Sequence, residues 1–72
     1  MKQTIEGLIY HRMEALKGVK GTYDKNEWEA HKQGAVNTID KLMDDLLEAG
    51  TLSQEDYQGL DDLLDTLADM PY

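Results

Sequence analysis

Apolar residues fall into three stripes along the chain, each with the three- and four-residue spacing of one helical face. The first stripe consists of Ile5, Leu8, Ile9, Met13 and Leu16. We predict a helix over residues 4–17, in which Thr4 acts as N-cap and Gly18 ends the helix.

The second stripe is the longest. It consists of Trp28, Ala35, Ile39, Leu42, Leu46 and Ala49. The spacing is close to a heptad pattern and is interrupted at Lys32. Asp24 and Glu27 have the spacing of a capping box, and Gly50 is a typical helix stop. We therefore predict a long helix over residues 25–49.

The third stripe begins with a similar capping signal. It consists of Tyr57, Leu60, Leu63, Leu64 and Leu67. Ser53 and Asp56 have the capping-box spacing, and Pro71 prevents the helix from continuing. The predicted helix covers residues 54–69, and Tyr72 is expected to lie in a frayed terminus.

Together these elements predict an all-α fold: one domain over residues 1–72, built as a small three-helix antiparallel bundle with a long central helix. Connections of six residues or fewer favour antiparallel neighbours, and no strand pattern competes. A chain of 72 residues buries a small core, and it has no cysteine to form a disulfide. Homodimerisation is one way to add buried surface.

The charge is divided unevenly along the chain. Residues 1–41 contain all seven Lys and Arg residues and six acids, whereas residues 42–72 contain nine acids and no base. Seven of those nine acids are Asp, which forms helices less well than Glu. Asp61, Asp65 and Asp69 recur at intervals of one helical turn, about 6 Å, where like charges repel. In sign and coarse spacing, such a line of charges resembles a strand of phosphates.

Composition argues against several classes of function. The net charge of −8 is opposite to that of a direct nucleic-acid binder, and no apolar run could span a bilayer. The N-terminal residues lack the apolar block of a signal peptide, so we expect a cytoplasmic protein. His11 and His31 lack metal-ligand spacing, and the Asp24 segment lacks the glycine and glutamate of a calcium loop. We expect no metal, no cofactor and no enzymatic activity.

The leading hypothesis is a small acidic helical protein that inhibits or regulates another protein. Its acidic half would mimic nucleic acid on the basic surface of a DNA- or RNA-binding partner. Small acidic inhibitors made by phages and mobile elements against host defence offer an analogy of size and charge. The candidate partner-binding residues are Asp44, Asp45, Glu48, Asp61, Asp62, Asp65 and Asp69.

The alternative is a helical adaptor or a homodimerising structural module. Val36, Met43 and Leu47 widen the apolar face of the second helix beyond what one neighbouring helix would cover. In this alternative the apolar face binds the partner, and the acids serve solubility.

Overall fold

The three apolar stripes form three helices in a computed structural model that describes residues 1–72. Helix α1 spans Lys2–Gly18, α2 spans Lys25–Glu48 and α3 spans Gln54–Ala68, with no strand. Each helix packs against the other two, and the bundle measures 40 × 16 × 15 Å. The predicted all-α three-helix bundle is confirmed.

The predicted N-caps of α2 and α3 form, but each capping box is only half complete, because neither Glu27 nor Asp56 accepts a side-chain hydrogen bond from the amide of the cap residue. An Asp24 carboxylate oxygen accepts a hydrogen bond of 2.8 Å from the Glu27 amide, and the Ser53 hydroxyl accepts one of 3.1 Å from the Asp56 amide. These contacts satisfy amide groups that have no partner within the first helical turn.

Helix α2 ends at Glu48 in a Schellman motif. Gly50 has φ +78°, and its amide donates to the Leu47 carbonyl while the Thr51 amide donates to the Leu46 carbonyl. A left-handed conformation of this kind favours glycine, because any side chain would be strained there. The helix is therefore one residue shorter than predicted at this end.

The expected start of α1 is wrong. The N-cap is Met1, which has no side-chain acceptor, and the Thr4 amide donates to the Met1 carbonyl from within the first turn. The other end also differs, since Gly18 remains helical and neither Gly18 nor Gly21 has positive φ. The turn towards α2 is held by the Val19 carbonyl, which accepts hydrogen bonds from the Thr22 and Tyr23 amides.

The core consists mainly of the predicted apolar residues. Eleven hydrophobic side chains are buried, among them Ile5, Ile9, Met43, Leu60 and Leu67. None of the three helices combines the length and hydrophobicity needed to span a bilayer.

The broad apolar face of α2 is largely covered, because α1 and α3 both pack on this helix. Met43 is fully buried, and Val36 and Leu47 are partly buried. Leu8 and Leu42, which belong to the predicted stripes, instead remain 41% and 37% exposed. They lie along an open groove between α1 and α2 that no residue of α3 lines.

Trp28 contacts three parts of the chain at one end of the bundle. Its ring is fully buried, and its indole N–H donates a 2.8 Å hydrogen bond to the Leu16 carbonyl near the end of α1. The Lys20 and Lys32 ammonium groups lie 5.6 and 5.3 Å from its ring centre, within cation–π range. The single tryptophan therefore joins α1, the first connection and α2.

The C-terminal residues also pack at this end, so the expectation of a frayed Tyr72 is wrong. The Tyr72 ring meets Trp28 edge-on at 5.4 Å, and its hydroxyl lies 2.7 Å from the Tyr23 carbonyl and 3.0 Å from the Lys20 carbonyl. Lys32, which interrupts the second stripe, is 8% exposed and donates a 3.0 Å hydrogen bond to the Met70 carbonyl. Glu29 lies 3.0 Å from the same ammonium group.

We predict that Trp28→Phe lowers the free energy of unfolding by about 2–3 kcal/mol, because it leaves the Leu16 carbonyl without its donor and opens a void in the core. Urea unfolding followed by circular dichroism measures the change. Tyr10→Phe is the control, since Tyr10 is 52% exposed and its removal should cost less than about 0.5 kcal/mol. Equal losses for the two variants would contradict the role given to Trp28.

Candidate interaction site: the acidic face

The antiparallel arrangement of α2 and α3 brings two sets of carboxylates together. Tyr57 on α3 contacts Asp44 on α2, and one turn further along α3 the charge of Asp61 interacts with those of Asp40 and Asp44. Higher residue numbers in α3 thus lie opposite lower residue numbers in α2, as antiparallel helices require. We define the acidic face as Asp40, Asp44, Asp61, Asp62 and Asp65.

Asp61 lies at the centre of the acidic face. Partial burial raises the pKa of its carboxyl group, and repulsion from Asp65, Asp40, Asp62 and Asp44 adds to the rise. The negative charge of Asp61 is thus less favourable in the folded chain than in the unfolded chain.

Tyr57 joins the two helices beneath these charges. Its hydroxyl donates a 2.5 Å hydrogen bond to Asp44, and its ring packs against the core. This hydrogen bond, followed by burial and the charges of Asp44, Asp40 and Asp61, raises the pKa of Tyr57 to about 12. The bond fixes the rotamer of Asp44 relative to α3.

Four of the seven predicted site residues belong to the acidic face: Asp44, Asp61, Asp62 and Asp65. Asp61 is partly buried, and the other three are exposed.

The remaining three lie outside it. Asp45, Glu48 and Asp69 are exposed and are not among the charges that act on Asp61. Asp69 is the C-cap residue of α3, where its amide donates to the Asp65 carbonyl.

Two residues that shape the acidic face were not among the predicted site residues. Asp40 is one turn before Asp44 on α2, a spacing visible in the sequence, but it precedes the base-free half of the chain. Tyr57 was predicted only as a member of the apolar stripe of α3. Its second role follows from the position of α3 against α2, for which the sequence carries no local signal.

No cation neutralises these carboxylates by direct contact. The structure contains two ion pairs, Lys17 with Glu14 at 3.4 Å and Lys32 with Glu29 at 3.0 Å, both formed by residues outside the base-free segment. No three His, Asp or Glu side chains converge in an arrangement that could hold a metal ion.

Comparison with known proteins adds no relative to this description. No protein-family model matches the chain, and no curated protein or solved structure matches it significantly.

Asp61→Asn should stabilise the bundle at neutral pH by on the order of 0.5 kcal/mol, because it removes a charge from among like charges. The raised pKa sets the pH dependence. Ionisation of Asp61 penalises the folded state above that pKa, and the penalty disappears once Asp61 is protonated in both states. The stabilities of variant and wild type should therefore converge at pH values below the ordinary Asp pKa of 3.8.

Urea unfolding at several pH values tests this expectation. Glu48→Gln is the matched control, since Glu48 is exposed and does not act on Asp61. A destabilised Asp61→Asn variant at neutral pH would refute the electrostatic account.

Tyr57→Phe should lower the free energy of unfolding by about 1 kcal/mol at neutral pH, because it removes the hydrogen bond to Asp44. A raised pKa means that the protonated phenol stabilises the folded state below the ordinary value of 10.0. That contribution is lost as the pH rises from 10 to about 12, so the difference between the proteins should shrink over this range. Chemical unfolding of both proteins across this range measures it, and a pH-independent difference would contradict it.

Proposed function

We propose that this protein binds and inhibits a nucleic-acid-binding protein, with the acidic face occupying the partner's basic surface. The observation that carries the proposal is the set of five carboxylates across α2 and α3 without an ion-pair partner. Carboxylates that lack an ion-pair partner within the chain are available to the lysines and arginines of another protein. The proposal includes no catalytic step and no cofactor.

The rigidity of the acidic face supports this function. Its carboxylates project on the short side chains of Asp residues from two packed helices, and Tyr57 holds Asp44 in place. Groups fixed before binding lose little conformational entropy when a partner engages them. Flexible glutamates on a loop would lose more.

The cost of the acidic face to stability also supports a role in binding. Asp residues at intervals of one turn repel one another. Partial burial raises the pKa of Asp61, and the repulsion from its acidic neighbours adds to that rise. Solubility alone does not require this arrangement, because lysines placed among the acids would maintain solubility without the repulsion.

Electrostatic attraction would then accelerate the encounter between the two proteins. A negative surface steers a basic partner over distances comparable to the Debye length, about 10 Å at 0.1 M salt. A nucleic acid approaching the same partner is repelled once the acidic face is bound. The expected mode of inhibition is therefore competitive with DNA or RNA.

We predict that neutralising three carboxylates of the acidic face abolishes capture of the partner without unfolding the bundle. Immobilised wild-type protein should retain a nucleic-acid-binding protein from cell extract at low salt. The bound protein should be released by duplex DNA, and also by about 1 M NaCl, at which the Debye length is about 3 Å. The neutralised variant carries Asp44→Asn, Asp61→Asn and Asp65→Asn.

A control with the same net charge separates the acidic face from bulk charge. It carries three neutral substitutions in the half of the chain that contains the bases, namely Glu6→Gln, Glu14→Gln and Glu27→Gln. We expect the control to bind as wild type and the neutralised variant to lose at least tenfold in affinity, about 1.4 kcal/mol. Equal binding by the two variants, or a partner that DNA does not displace, would refute the proposal.

A further inference from the structure

A second surface of the molecule has a different character from the acidic face. Between α1 and α2, on the side not lined by α3, lies an open groove of about 320 Å³. A hollow of about 140 Å³ adjoins it and shares three of its lining residues, Arg12, His31 and Ala35. The two form one continuous surface, which we call the α1–α2 groove.

Exposed leucines line one end of the groove. Leu8 and Leu42 are 41% and 37% exposed, although each belongs to the apolar stripe of its helix. The bundle therefore leaves part of two apolar stripes uncovered. A fourth helix packed in the groove would bury these side chains.

A glycine lies between these leucines and His31. A Cβ atom added at Gly34 would meet no atom within 4 Å, so internal packing does not require glycine there. Glycine within a helix destabilises it relative to alanine. A small residue at this position allows the backbone of another helix to approach closely.

The charge of the groove indicates the chemistry of its occupant. Arg12 and His31 are its only ionisable lining residues apart from Tyr23, and no acid lines it. Arg12 forms no ion pair within the chain. A carboxylate on the occupant would supply the missing partner.

The shape favours a helix over a small molecule. The lining residues run from Leu8 in α1 to Val19, the residue directly after that helix, and at 1.5 Å per residue they cover about 16 Å, or three helical turns. A second copy of this chain is disfavoured, because a twofold pairing of these surfaces would bring two sets of Arg12 and His31 together.

We propose that the α1–α2 groove binds an amphipathic helix of a partner protein. The helix is about three turns long, has apolar residues at i, i+4 and i+7, and has a carboxylate opposite Arg12. This interaction is separate from the one proposed for the acidic face and does not depend on it.

The test uses the full chain, labelled with ¹⁵N, and a panel of synthetic amphipathic helical peptides of about 15 residues. Each peptide has leucines at i, i+4 and i+7 and one glutamate, which is moved through the positions flanking the leucines. A matched panel has lysine in place of glutamate. We expect amide shifts along the groove, and at least tenfold tighter binding for the best glutamate peptide than for its lysine counterpart.

Two variants locate the contact. Arg12→Glu should reverse the preference, so that the lysine peptide binds more tightly. Gly34→Leu should fill the groove and abolish binding while the fold is retained. Gly7→Leu is its control, because a Cβ at Gly7 also meets no atom within 4 Å and Gly7 does not line the groove.

Three results would overturn the proposal. The first is the absence of groove shifts across both panels, and the second is a glutamate preference that Arg12→Glu leaves unchanged. The third is a concentration-dependent shift of Leu8 and Leu42 without peptide, which would show that a second copy fills the groove.

Discussion

The burial of Trp28 is the constraint on which the arrangement of the helices depends. Its indole N–H needs an acceptor inside the protein, and the Leu16 carbonyl supplies one near the end of α1, where helical carbonyls lack partners within the helix. This one bond fixes the start of α2 against the end of α1. The Tyr72 ring then packs against the indole in a T-shaped arrangement, and this contact positions the last residues of the chain.

Helix caps and stripes could be predicted from the sequence because they are local. Asp24, Ser53 and Gly50 act on backbone groups within a few residues of themselves, so short spacings are sufficient to identify them. Thr4 failed in the same role because α1 begins at Lys2, before that residue. A Thr hydroxyl can cap a helix only when the helix begins at the next residue, and the sequence around Thr4 does not fix that starting point.

Contacts between distant residues were not predictable in this way. Lys32 interrupts an apolar stripe, yet it is buried because the Met70 carbonyl and Glu29 receive its ammonium group. Tyr72 is ordered by carbonyls of the first connection. In each case the partner is supplied by tertiary structure. Leu8 and Leu42 show the opposite case, in which predicted core residues remain exposed. An apolar stripe does not indicate how many neighbouring helices will cover it.

The acidic face was predictable only in part, because it depends both on spacing within one helix and on contacts between two helices. Intervals of one turn along α3 identified Asp61 and Asp65, whereas the contribution of Asp40 depends on how α2 and α3 are aligned. That alignment is set by the turn at Gly50 and by the bond between Tyr57 and Asp44. A charge pattern along one helix therefore predicts half of a surface that two helices form.

Helix α2 contributes to two surfaces of opposite character. At 3.6 residues per turn, Asp40 and Asp44 lie about 160° around the helix from the residues of the α1–α2 groove. The acidic face and the groove are thus on opposite flanks of α2, with the core between them. Under the two proposals, a partner on one flank leaves the other open, so a basic protein and an amphipathic helix with a carboxylate opposite Arg12 would bind without competing. The absence of acids from the groove supports this arrangement, because an acidic groove would repel the carboxylate of the proposed helix.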